Sequence, residues 1–191
     1  VAQNITQTVF TDELAAALSA SSRRLGHEAR VHLKIDTGMH RQGIAPGEAD
    51  AIARRLSSRK GLAVEGVYSH FAEADSPDPG FTLEQLAQFR LALDGLAAAG
   101  VRPPIRHIAN SAALMAFPEA RFDMVRPGIL LYGLSPNDNP SPPEGFAPVM
   151  QLCASIANIR VLEAGESVSY GRLFTARRKS RIGLLQIGYA D

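Results

Sequence analysis

The chain has 191 residues, 46% hydrophobic, 20% charged and 6% aromatic, which is enough apolar material for a sizeable core. Twenty basic against nineteen acidic side chains give a formal charge of +1, and no Lys/Arg cluster is interleaved with aromatics, which argues against nucleic-acid binding. No apolar run approaches the ~18 residues of a membrane helix, and the opening VAQNITQTVF lacks the basic start and apolar middle of a signal peptide. A cytoplasmic chain with no membrane partner is expected. Cys153 is the single cysteine, which excludes an internal disulfide and a cysteine-built zinc site and is expected to be a small buried hydrophobe. The start at Val1 and the final RIGLLQIGYAD read as cut ends, so a fragment is expected.

From the N-terminus, Leu14, Ala17, Leu18 and Leu25 recur at helical spacing and Gly26 follows, which predicts a helix over residues 11–25 with a left-handed cap. Residues 31–36 alternate strictly, with Val31, Leu33 and Ile35 against His32, Lys34 and Asp36, the period of a strand. Residues 46–58 read as a helix and 62–71 as a strand. A helix over 82–99 opens on a Thr82/Gln85 capping box, carries Leu83, Leu86, Phe89, Leu93 and Leu96, and stops at Gly100. A short strand over 105–109, a short helix over 111–117 and a strand over 122–132, interrupted by Pro127 and Gly128, complete this half.

Strand and helix alternate as in consecutive βαβ units, which leaves a doubly wound sheet or a closed barrel. Lys34, His70, Asn110 and Arg126 each fall in or just beyond the C-terminal half of a strand, the rim on which barrels build their sites, and this favours a partial (β/α)8 barrel. Such a barrel runs to about 250 residues, so a portion of this length supplies roughly half of one. Then SPNDNPSPPEG, dense in Pro, Asn and Ser, reads as a linker. β-like runs over 148–162, 167–175 and 181–189 follow. The expected organisation is 1–134 barrel, 135–147 linker and 148–191 the start of an all-β domain.

Lys34 and Asp36 on a buried strand are costly without partners, and Arg41 cannot neutralise a lysine. Carbon dioxide added to the Lys34 amine would make an anion for a nearby guanidinium to bind; a solvated Lys34 is the plain alternative. Asn110-Ser111, taken by itself, reads as a helix cap.

KIDTGMHRQGI, SHFAEAD, HIANSAA, VRPGILLYG, GESVSYGRLF and QIGYAD resemble, in order and spacing, the motifs of the alanine racemase family. The resemblance spans 31–191. It implies an isomerase that uses pyridoxal 5'-phosphate on alanine, an N-terminal barrel with a C-terminal β domain, and a homodimer whose active sites are shared across the interface. It further implies that Lys34 is carboxylated and holds Arg41, which contacts substrate carboxylate. His70 would lie beside the cofactor ring and His107 behind Arg126, which faces the pyridine nitrogen. Asn110 and Ser111, with the N–H groups of Gly128 and Ile129, would cradle the phosphate. Tyr170 would act as a proton-transfer base contributed across the dimer, and Tyr189 would line the substrate entrance. A broad-specificity racemase of the same family and an inactive cofactor-binding protein are the alternatives. The family's early KANAYGHG-like block with its cofactor-bearing lysine has no counterpart here, no metal is implied, and His40 stands where the family commonly has glycine.

Overall fold

The computed structural model describes residues 1–137 and 143–189. They divide into two compact units, Val1–Pro148 and Val149–Asp191.

The first unit repeats strand then helix four times: β1 (Gln7–Val9), α1 (Asp12–Leu25), β2 (Ala29–Lys34), α2 (Ala49–Ser57), β3 (Leu62–Tyr68), α3 (Gly80–Ala98), β4 (Ile105–His107) and α4 (Ser111–Ala116). All pairings are parallel and the spatial order is β1-β2-β3-β4. A doubly wound sheet reverses its strand order at a switch point. This sheet runs monotonically, as a barrel wall does, so the barrel alternative is the one realised. β1 was not expected; three residues are too short for a periodic signal to stand out.

The period-two pattern of β2 has a specific meaning here. Val31, Leu33 and the following Ile35 are fully buried and join Val9 and Val67 in the core with Ile52, Leu56, Leu86, Phe89 and Leu96 of the helices. His32 and Lys34 point to the other face, the one that carries the polar side chains. Register then aligns that face across strands: Lys34 pairs Tyr68, and Tyr68 pairs His107.

The helices are set by their ends as well as their faces. The Thr11 side chain accepts from the N–H of Leu14, acidic Asp12 and Glu13 occupy the first turn, Arg23 and Arg24 the last, and Gly26 closes α1 at φ 69°. Its inward face is not the leucine stripe, since Leu14 and Leu25 are exposed while Ala15, Ser19 and Ser22 are buried. Small residues let α1 approach the strands, and the Ser19 and Ser22 hydroxyls donate to the Lys60 and His27 carbonyls.

Four local expectations are corrected. The capping box does not form, because α3 begins at Gly80 with Pro79 before it and the Thr82 hydroxyl instead donates to the Glu73 carbonyl. Residues 122–132 are not a strand. The N–H groups of Asp123 and Arg126 do bond the Arg106 and Ala109 carbonyls, but Phe122 sits at φ 44°, Pro127 has no N–H to extend a ladder, and after Gly128 the chain winds into a 3-10 turn over Ile129–Tyr132. The strand expected over 62–71 ends at Tyr68, leaving His70 in the loop beyond it. Cys153 is exposed, since it lies in the irregular stretch that precedes the strand beginning at Ile156.

In the second unit β5 (Ile156–Leu162) pairs β8 (Ser180–Leu185) antiparallel, and β6 (Ser167–Val168) pairs β7 (Phe174–Thr175). The 167–175 run is thus two short strands around a 3-10 turn, Tyr170–Arg172. Part of the expected linker, residues 138–142, and the last two residues lie outside the described residues.

Candidate active site

The polar face of the sheet and the loops at its C-terminal edge bring together Lys34, Tyr68, His70, His107, Asn110, Ser111, Arg126, Gly128 and Ile129. Arg126 is the hub. Its Nη1 bonds Nδ1 of His107, and its Nη2 reaches the Ser69 carbonyl at 2.8 Å, His70 Nδ1 at 3.2 Å and the Ile108 carbonyl at 3.4 Å. Its guanidinium also lies 5.2 Å from the Tyr68 ring centroid. Every one of these acceptors is neutral, and among the described residues no carboxylate pairs with Arg126. Burial lowers its pKa, yet a guanidinium stays protonated in proteins, so the site carries an unbalanced cation. The Arg126 Nε–H has no acceptor among the described residues.

That cation and burial shape the histidines. His107 is stacked flat on Tyr68, with ring centroids 4.8 Å apart, and its pKa is pushed down to about 3 by burial, then by Arg126, His32 and Lys34. His70 is lowered to about 4 by burial and by Arg126, Lys34 and Arg41. Both are neutral rings accepting from Arg126 at Nδ1. Unfolded, each titrates near 6.5, so below that pH the unfolded chain takes up protons that the native chain refuses. Stability from this source is complete above pH 6.5 and is lost progressively as pH falls toward 4 and 3, by up to about 1.4 kcal/mol per pH unit for each proton. Urea midpoints at pH 7.5 and pH 5 should separate accordingly, and a flat profile over that interval would refute the neutral pair.

Lys34 is 5% exposed, with its Nζ 4.8 Å from the Tyr68 ring centroid. No carboxylate pairs with it among the described residues. Burial lowers its pKa, and Arg41 and Arg126 lower it further against a smaller opposing effect of Asp36. A desolvated amine among guanidinium groups favours its neutral, nucleophilic form.

Arg41 sits exposed on a loop built by Asp36. Asp36 Oδ1 accepts from the N–H groups of Gly38 and His40, each at 3.0 Å. Burial alone would raise this carboxyl, but the Gly38 and His40 N–H groups, the His40 ring and the Met39 N–H together hold it below the usual range. The loop returns alongside β2 through a parallel bridge between Ile35 and Ile44. There Gly43 adopts φ 127°, and a Cβ would lie 2.6 Å from the Asp36 nitrogen, so only glycine closes it. His40 takes φ 51°, a left-handed conformation that glycine adopts freely and His tolerates. This accounts physically for the departure at that position: the larger residue keeps the backbone glycine would have.

At the other side of the cleft Asn110 caps α4, its side chain accepting from the Ala113 N–H at 3.0 Å. The cap reading is therefore realised, and it commits the Asn110 side-chain oxygen. Ser111 Oγ accepts from the Gly128 N–H at 2.9 Å and the Leu130 N–H at 3.3 Å. With both lone pairs taken, its hydroxyl proton is free to donate elsewhere. The Gly128 N–H is thus turned to Ser111, whereas the Ile129 N–H has no acceptor among the described residues. His70, Asn110, Ser111, Arg126, Gly128 and Ile129 line one open cleft of about 300 Å³, with Asp75, Ala112 and Pro136. A Cβ placed on Gly128 meets nothing within 4 Å, so the glycine leaves room that no protein atom fills. Spare hydroxyl and amide donors, a half-buried uncompensated guanidinium and a neutral imidazole suit an anionic heteroaromatic ligand, and pyridoxal phosphate fits this donor set.

Tyr170 and Tyr189 belong to the second unit, where both are fully exposed. Tyr170 opens the 3-10 turn between Ser169 at φ 64° and Gly171 at φ 68°, a backbone that thrusts its ring outward. The six motifs give no hint of three further residues. Tyr68 joins Lys34, His107 and Arg126; its alternation with Val67 was the available signal. His32 bonds His107. Gln85, fully buried, accepts from the Ala72 N–H at 2.9 Å and donates to the His70 carbonyl at 3.2 Å and Thr37 Oγ1 at 3.3 Å. It thereby fastens α3 to the loops carrying His70 and Arg41. Gln85→Leu would leave the Ala72 N–H and the His70 carbonyl without partners at ~1–3 kcal/mol each, while the Thr37 hydroxyl keeps its bond to Ser69. A stability loss of about 2–4 kcal/mol, read from the urea midpoint, is the expected result.

The family model described as "Alanine racemase, N-terminal domain" matches residues 1–136, and "Alanine racemase, C-terminal domain" matches 149–191. The chain is 44% identical over 191 residues to an alanine racemase of Desulfovibrio desulfuricans, covering all of this chain and 52% of the relative. Against one from Symbiobacterium thermophilum it is 48% identical over 183 residues, 96% of this chain and 48% of the relative. The solved alanine racemase from Streptomyces coelicolor superposes with a TM-score of 0.86 at 38% identity, covering all of this chain and 51% of that one. The chain spans about half the length of the curated relatives it matches. No helix among the described residues is long and apolar enough to cross a membrane.

Proposed function

Since this chain belongs to the alanine racemase family, we propose that it contributes the greater part of a site that interconverts L- and D-alanine with pyridoxal 5'-phosphate in a cytoplasmic homodimer. In this reading residues 1–134 hold the cofactor, 135–147 connect, and 148–191 carry Tyr170 and Tyr189. The observation that carries it is the half-buried Arg126, without a counter-ion among the described residues and with a spare Nε–H, beside a cleft whose glycine and donors suit a phosphate. When bound, the cofactor supplies an electron-withdrawing ring that acidifies the hydrogen on the substrate's α-carbon.

The rest falls to side chains. Arg126 offers a hydrogen bond to the ring nitrogen while keeping its own proton, because transfer from a guanidinium to a pyridine is strongly unfavourable. His70 flanks the ring as a neutral imidazole. Ser111 and Ile129 donate to the phosphate, with Asn110 and Gly128 shaping the cradle. The neutral Lys34 amine adds carbon dioxide: its nitrogen forms a bond to the carbon, a proton leaves to solvent, and the carbamate anion orients Arg41 toward the substrate carboxylate. Tyr170 takes or returns the α-proton on one face of the substrate, and Tyr189 limits access.

The test uses a chimera in which residues 1–191 replace the matching half of the Desulfovibrio desulfuricans relative. The chimera should racemise alanine. Tyr170→Phe, which removes the proton-carrying oxygen and keeps the ring, should abolish α-proton exchange of L-alanine with solvent deuterium and spare that of D-alanine. Equal exchange of both enantiomers at the unsubstituted rate would remove Tyr170 from the mechanism.

A further inference from the structure

The hydrogen bonds behind Arg126 do not stop at His107. His107 Nε2 lies 2.8 Å from Nδ1 of His32, and the Nε2 of His32 faces Glu65 Oε2 at 3.7 Å. Glu65 is itself held by the Thr6 hydroxyl at 2.9 Å and by Arg30 Nη1 at 3.1 Å. Four side chains on β2, β3, β4 and the segment after α4 thus form one line from the cleft to a carboxylate.

The direction of every proton in this line follows from its two ends. A guanidinium can only donate, so His107 Nδ1 must be bare. A neutral imidazole has one proton, so His107 carries it on Nε2 and donates it to His32. His32 Nδ1 must then be bare too, its proton lies on Nε2, and it points at Glu65, which can only accept. Reversing either ring would set N–H against N–H somewhere along the line. We infer that His32 is a positioning residue, which with Glu65 fixes the tautomer of His107 and thereby the bare nitrogen that holds Arg126 in the cleft.

The backbone is cut to seat His32. β2 and β3 pair His32 with Gly66, and a Cβ on Gly66 would lie 2.6 Å from the ring's Cε1 and Nε2 and 2.7 Å from Cδ2. Those are ring atoms with no flexible end to move aside, so any other residue at 66 displaces the imidazole. Burial lowers the His32 pKa, opposed by Glu65 and reinforced by Arg126. Around His107 the charged or titratable groups are Lys34 and His32 from β2, Tyr68 from β3 and Arg126. The cations among them keep the ring neutral, as the line requires.

The tautomers stand on this chain's geometry alone, and their consequence for catalysis rests on the proposed function. Both are tested with histidine labelled with 15N, read by long-range proton–nitrogen correlation in the unloaded chain and in the chimera with pyridoxal phosphate. His107 should show a protonated Nε2 and a pyridine-like Nδ1 unchanged from pH 8 to pH 5, and His32 should show the same tautomer at pH 7. A His107 protonated on Nδ1, or a doubly protonated His32 at pH 7, overturns the inference. Gly66→Ala removes no hydrogen-bonding group and unseats only the His32 ring. It should give His107 mixed tautomers and lower the chimera's kcat by about tenfold, the lower end of what partners orienting a ligating residue contribute, with the KM for alanine little changed. His32→Phe should do the same. If either variant folds and keeps a pure Nε2–H His107 with the parent kcat, His32 positions nothing. A chimera that fails to bind pyridoxal phosphate would refute the functional reading instead, and the unloaded chain would still decide the tautomers.

Discussion

Incubated alone with pyridoxal phosphate and either enantiomer of alanine, the purified 191-residue chain is expected to give no interconversion above a protein-free control. The reason lies in its lysines. There are three, Lys34, Lys60 and Lys179, and a covalent link to the cofactor needs a free amine at the cleft. Lys34 is buried against Tyr68, Lys60 follows α2 away from the cleft lining, and Lys179 pairs with Glu163 in the second unit at 2.7 Å. Binding without turnover is the result foreseen, since the phosphate donors and Arg126 are present. Chiral chromatography of the alanine after prolonged incubation decides the point, and sustained racemisation would show that the chain by itself holds both the attachment point and the bases.

Replacing Arg126 by glutamate should have the largest effect of any single substitution in the cleft. The change removes the donor shared by His107, His70 and the Ser69 carbonyl and sets a carboxylate between two imidazoles. Opposite charge then favours the protonated rings, so the histidines now held at about 3 and about 4 should titrate well above those values. Racemisation by the chimera should fall on the order of a hundredfold or more, the scale of losing one preorganised donor at a reacting group. Arg126→Lys separates charge from shape: it keeps the cation and loses the planar fork, so the rings should stay depressed while activity still falls. If Arg126→Glu folds and leaves both histidine titrations where they were, Arg126 does not govern the electrostatics of the site.

The conditions for these experiments follow from the same network. At pH 7.5 and above, His70 and His107 are largely neutral in folded and unfolded chains alike and contribute little pH dependence to stability. Variants compared near pH 5 would mix the loss of a contact with a changed histidine titration. The Gln85→Leu cost is therefore best measured at pH 7.5, where it reports the abandoned Ala72 N–H and His70 carbonyl.

What could be read from the sequence was what acts over a few residues. Thr11 and Gly26 delimit α1, Asn110 starts α4, and the alternation from Val31 to Ile35 marks β2, because caps and side-chain periods are enforced by the backbone within one or two turns. Chain order also carried far: strand and helix in regular succession already required parallel pairing. The motifs carried the family. The tertiary structure decided what depends on partners distant in sequence. Residues 122–132 have strand-like composition, but their backbone N–H groups make only two bonds to the neighbouring strand segment, to the carbonyls of Arg106 and of Ala109 just beyond β4, before Pro127 and Gly128 turn them away. Gln85 resembles a capping residue until the loops of His70 and Arg41 are folded over it. His32 and His107 are 75 residues apart and meet only because register lays Lys34, Tyr68 and His107 in one row. A local pattern assigns a side chain to a face of its strand. Which neighbour it finds there, and hence its proton and its charge, is fixed only when the strands pair.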